Sequence, residues 1–140
     1  MPLGRRKSKD VAELIEADRE LAGTYRDRLA EANEAEEALR AAQAAGGTDV
    51  GPREEAIAFD RALTAALLAA EAAERVAAGP KAYAPEGADP KTRRAAEIAY
   101  RKAKAKPSVR PWTEEVDRLR TAREAHRLSY RTVPNTAASV

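Results

Sequence analysis

Apolar residues recur at Val11, Leu14, Ile15, Leu21, Tyr25, Leu29, Ala32 and Leu39, a three-and-four spacing that gathers them on one side of a 3.6-residue helix. Asp10 precedes this run with Glu13 three residues on. In that arrangement one carboxylate caps free backbone N–H groups and the second sits in the first turn, where the helix dipole favours it. Gly46-Gly47 closes the run. The pattern predicts a single helix over 10–45, about 36 residues and roughly 54 Å long at ~1.5 Å per residue.

A second helical pattern starts at Gly51-Pro52, where proline in the first turn gives up no needed donor and Glu54 and Glu55 face the positive end of the dipole. Ala56, Phe59, Leu63, Leu67, Ala70 and Val76 or Ala77 form its stripe, Ile57 and Leu68 lie to one side, and Gly79-Pro80 ends it. The short connection favours an antiparallel pair, with Leu21, Tyr25 and Leu29 facing Leu63 and Leu67. The first turns of the longer helix overhang this pair unless later segments fold back onto them. The stretch PKAYAPEGAD at 80–89 is a loop by its proline and glycine content, with Tyr83 its one anchor.

Asp89-Pro90 restarts a helix through about Lys106. Arg93, Arg94, Arg101 and Lys104 share one arc of it with Tyr100 at the edge, opposed only by Ala95, Ile98, Ala99 and Ala103. PSVRP at 107–111 breaks the pattern, and Thr113 with Glu114 and Glu115 opens a fourth helix to about Arg131, with Val116, Leu119, His126 and Tyr130 on one face. Residues 132–140 show no periodicity. The expected fold is therefore all-α: a long antiparallel helical hairpin followed by two shorter helices, with extended N- and C-terminal arms. It divides into a basic arm at 1–9, the hairpin at 10–79, a linker at 80–89, a basic helical pair at 90–131 and a tail at 132–140. The helices pack in the manner of a coiled coil, but the stripe is too short for a sustained heptad.

Composition sharpens this picture. Leu, Ile, Val and Phe number 21 of 140 residues against 34 alanines, so any core is thin and depends on close helix approach; a net charge of only +2 removes the self-repulsion that accompanies disorder. There is no cysteine, which excludes thiolate metal sites and thiol nucleophiles. No apolar run is long enough to span a bilayer, and the basic start MPLGRRKSKD lacks the apolar stretch of a secretory signal. The expected location is cytoplasmic or particle-associated, with no membrane partner.

Charge is distributed unevenly. Residues 10–45 hold ten acidic and four basic side chains, whereas 91–110 hold eight basic ones and only Glu97 as an acid. The candidate partner-binding residues are therefore Arg93, Arg94, Tyr100, Arg101 and Lys104 on the third helix, with Arg5, Arg6, Lys7 and Lys9 on the arm and Trp112 as an aromatic anchor. Three arrangements satisfy the polarity: the basic helix docks on the acidic one within the chain, it docks on the acidic helix of another copy, or the cations contact nucleic-acid phosphates with Tyr100 stacked on a base.

Catalytic chemistry finds no foothold. The adjacent carboxylates at Glu36-Glu37, Glu54-Glu55 and Glu114-Glu115 lack a partner that would split their pKa values, and Arg123 stands where a di-iron bundle needs a carboxylate three residues before His126. His126 is expected to pack or to bond a carbonyl. The sequence points to a non-enzymatic structural or adaptor subunit of a larger multiprotein assembly, such as a virion or similar particle, a homo-oligomer being one form of it, with no cofactor. The alternative is a nucleic-acid-binding accessory protein using the arm and third helix.

Overall fold

The structure, a computed structural model, describes residues 9–46 and 52–138, with side chains as far as Tyr130. Five α-helices and one 3-10 turn make up its regular structure: α1 (Val11–Ala22), α2 (Tyr25–Ala45), α3 (Arg53–Ala78), the 3-10 turn (Pro80–Ala82), α4 (Pro90–Ala103) and α5 (Arg110–Ala138). No strand occurs among the described residues.

Helix α3 lies at the centre. Helices α1, α2 and α5 all pack against it, and α4 meets its C-terminal end together with the 3-10 turn. The core gathers Tyr25, Ala32 and Leu39 from α2, Phe59, Leu63, Ala66, Leu67, Ala69 and Ala70 from α3, and Val116 and Leu119 from α5. Ala66, Ala69, Ala70 and Ala72 are wholly enclosed. A methyl is the largest side chain that fits where neighbouring backbones crowd one helix from several directions, so the alanines of α3 are core material rather than filler. A smaller cluster of Ala78, Ala103 and Val109, edged by Ala77 and Ala82, fastens the end of α3 to the end of α4 and the turn before α5.

The expected single helix over 10–45 is broken at Gly23-Thr24. Both residues keep right-handed backbone angles, but the Thr24 hydroxyl donates to the Leu21 carbonyl at 2.7 Å and the Thr24 N–H bonds the same oxygen at 3.0 Å. Glycine and threonine together weaken the ladder and offer a competing local bond. The break carries Leu21 out of the seam in which it was expected; it is exposed, while Tyr25 is buried and Leu29 packs on the core holding Leu63 and Leu67.

The first turns do not overhang. The Asp10 side chain caps α1 through the Glu13 N–H at 2.9 Å, with Glu13 reaching back to the Asp10 N–H at 3.2 Å, and α1 lies on the C-terminal part of α3. Helix α5 begins at Arg110 rather than Thr113 because Pro111 falls in the first turn, where its missing N–H costs nothing. It continues to Ala138, so residues 132–138, expected as a tail, are helical in backbone. Helix α4 ends at Ala103, three residues before the expected Lys106, in a run of tight turns closed by Lys106 N–H to Ala103 O and Val109 N–H to Lys106 O.

Candidate partner-binding surface

Helix α4 owes its place to few contacts. Asp89 caps it by accepting from the Thr92 N–H at 2.8 Å, a bond that holds the Asp89 carboxyl below its ordinary pKa, and Pro90 occupies the first position. Ala96 and Ala103 are its buried residues; Ala95 and Ile98, expected on the packing face, are exposed. The face that packs is rotated toward Tyr100, whose hydroxyl donates to Oε1 of Glu74. Burial first, and then that carboxylate, raise the Tyr100 phenol above its ordinary pKa. Glu74 itself is 3% exposed and went unremarked in the sequence, because an acid in an alanine run carries no signal of burial until a tyrosine from a distant helix is placed over it.

On the other side of this contact lies an open groove of about 420 Å³ between α4 and the segment after the 3-10 turn, lined by Ala82, Ala84, Arg93, Glu97, Tyr100, Arg101 and Lys104 among others. The Lys104 ammonium sits 5.3 Å from the centre of the Tyr100 ring, a cation–π distance. Tyr100 thus has its hydroxyl committed to Glu74 and a cation over one ring face, which a base stacking on that face would have to displace. Arg93, Arg94, Arg101 and Lys102 are exposed, and among the described residues no cation of α4 forms an ion pair.

Four arginines of α3 and α5 behave differently. Arg75 pairs with Asp18, Arg120 with Glu71 at 2.8 Å, and Arg127 with Asp60 at 2.7 and 3.2 Å, while Arg123 reaches the Thr64 hydroxyl at 3.4 Å. The last three partners run backward along α3 as α5 advances, so the two helices are antiparallel. The Arg127 guanidinium holds the Asp60 carboxyl below its ordinary pKa. It is therefore the arginines of α5, not the cations of α4, that pair with acids within the chain, and they do so on α3 rather than on 10–45. The expected alternative of α4 docking on the acidic helix of its own chain does not occur: α4 packs against the 3-10 turn and α3.

The N-terminal basic arm starts beside this surface. Lys9 and Glu86 exchange two bonds, Lys9 N–H to Glu86 Oε1 at 2.9 Å and Glu86 N–H to Lys9 O at 3.0 Å. Glu86 is four residues from Pro90, hence within about 14 Å of it along the chain. Arg5, Arg6 and Lys7 lie outside the described residues.

Trp112 meets Tyr25 edge to face, ring centres 5.3 Å apart, at the margin of the core; its aromatic surface is engaged within the chain. His126 Nε2 lies 2.8 Å from the Ala56 carbonyl oxygen and its ring stands edge-on to Phe59 at 4.8 Å. Among the described residues no group of histidines and acids is placed to hold a metal ion, and no helix is long and apolar enough to cross a membrane. Comparison with protein-family models, curated proteins and solved structures yields no match.

Proposed function

We propose that this chain is a non-catalytic structural or adaptor subunit of a larger multiprotein assembly, cytoplasmic or particle-associated, such as a virion or similar particle. The hairpin of α1–α2 with α3, buttressed by α5, serves as its rigid body and α4 as its contact element. The observation that carries this reading is the division among the arginines: Arg75, Arg120 and Arg127 are held in ion pairs between helices of the fold, whereas the cations of α4 project without one. A helix held by two buried alanines and a tyrosine, yet carrying five basic side chains, contributes little to its own fold and much to a charged contact.

A second reading, nucleic-acid binding, is favoured by one observation, the Lys9–Glu86 clasp that starts the basic arm beside α4. The committed state of Tyr100 weighs against it. Titrating the protein with nonspecific duplex and single-stranded DNA at several salt concentrations separates the two. The adaptor reading expects weak binding at physiological salt. Tight binding with a steep salt slope, reduced by several units on neutralising Arg93, Arg94, Arg101 and Lys104, overturns it, since each lost phosphate contact stops releasing counterions.

A further inference from the structure

The outer face of α2 matches the outer face of α4. Tyr25, Ala32 and Leu39 turn α2 toward the core, which leaves Asp27, Glu31, Glu34 and Glu37 on the exposed side with Ala30 among them and Ala38 and Ala41 just beyond. Of these acids only Glu31 has an ion-pair partner, Arg28 at 3.5 Å. Asp27 and Glu34 are seven residues apart, two turns or about 10.5 Å along the helix. On α4, Arg94 and Arg101 are also seven residues apart, exposed and free of ion pairs, with the exposed Ile98 and a single acid, Glu97, between them. Two arginines and two carboxylates at equal spacing can pair simultaneously, and the isoleucine between the arginines meets the small Ala30 between the acids.

Resting on the reading of this chain as an assembly subunit, we propose that its partner is a second copy: α4 of one molecule lies along α2 of the next, Arg94 and Arg101 paired with Asp27 and Glu34. The two faces cannot meet within one molecule, because α4 is fixed to the 3-10 turn and to Glu74 at one end of α3 and shares no substantial interface with α2. The patches differ, so the contact is heterologous. It propagates into an open chain, or into a ring if the rotation closes.

The experiment uses the full chain in sedimentation velocity or light scattering. Wild type is expected to associate at low salt and to dissociate near 1 M salt, where the screening length falls to about 3 Å. R94E/R101E and D27K/E34K should each bind themselves at least roughly tenfold more weakly, with unchanged circular dichroism. Their equimolar mixture should associate again, because the reversed α4 of one fits the reversed α2 of the other and the remaining native faces fit each other. A wild type that stays monomeric at low salt, a variant that keeps associating, or a mixture that fails to recover overturns the self-docking proposal. If the wild type is monomeric and does not bind DNA, self-docking falls while the adaptor reading stands for a different protein partner; DNA binding lost with Arg94 and Arg101 removes both.

Discussion

Asp18 of α1 and Arg75 of α3 meet side-on, Nε to Oδ2 at 2.9 Å and Nη2 to Oδ1 at 3.0 Å, and the Tyr83 hydroxyl donates to the same Oδ2 at 2.6 Å. One carboxylate therefore ties together three segments distant in sequence. Burial raises the Asp18 pKa, but the Arg75 and Tyr83 hydrogen bonds together outweigh it, and the group sits below its ordinary value.

A folded-state pKa below the unfolded one contributes stability that is present above the ordinary aspartate range and is lost as the pH falls through the folded value. Asp60, depressed by Arg127, acts in the same direction. Stability is thus expected to hold from neutral pH down to about 4 and to fall below it. Asp18→Asn should cost about 1–3 kcal/mol at pH 7 and flatten the acid limb. Urea midpoints at pH 7 and pH 3 check this; a variant with an unchanged acid limb would refute the assigned role.

How much of this was legible in the sequence follows from what each residue depends on. Helix starts at Asp10 and Asp89 rest on local hydrogen bonds that a cap and its third neighbour encode, and both are found where the sequence places them. The break at Gly23-Thr24 was legible only in part, since weak helix formers are often carried through by packing and nothing local says whether it is available. Glu74, Val109 and the α5 arginines acquire their roles from segments tens of residues away. The basic arc of α4 was readable by spacing alone, because it depends on no partner inside the fold.

Tyr100 and Glu74 test the attachment of α4. Glu74 Oε2 is buried without a partner among the described residues, and Tyr100→Phe takes the donor from Oε1, leaving the carboxyl wholly unsatisfied at a cost of about 1–3 kcal/mol. Adding Glu74→Leu removes the group that suffers, so the double variant should recover most of that loss. A cycle of four denaturation curves measures it, and additive losses would show that the two side chains do not interact.

The alanine core makes a second demand. Ala70→Leu inserts three carbons where α3 is fully enclosed and should destabilise by about 1–3 kcal/mol, although leucine is nearly as good a helix former as alanine. Leu63→Asp, which places a charge in the same core, should abolish most of the helical signal in circular dichroism. A melting temperature unmoved by Ala70→Leu would contradict the close approach of helices at that position.

The last prediction concerns the two sets of arginines. Arg120 and Arg127 join α5 to α3 through Glu71 and Asp60 with their side chains 55% and 38% exposed. Solvent screening therefore keeps each pair weak, and R120Q/R127Q should lower stability by a small but measurable amount, less at high salt. Arg94 and Arg101 have no ion-pair partner inside the fold, so R94Q/R101Q should leave the stability of the monomer within roughly 0.5 kcal/mol of wild type. Urea denaturation at low protein concentration and high salt, where copies do not associate, isolates the monomer's stability. Repeating the first comparison at low salt reveals the screened part. Equal losses from the two double variants would mean that α4 contributes its charge to the fold after all, and would leave its outer face without the freedom that a contact surface needs.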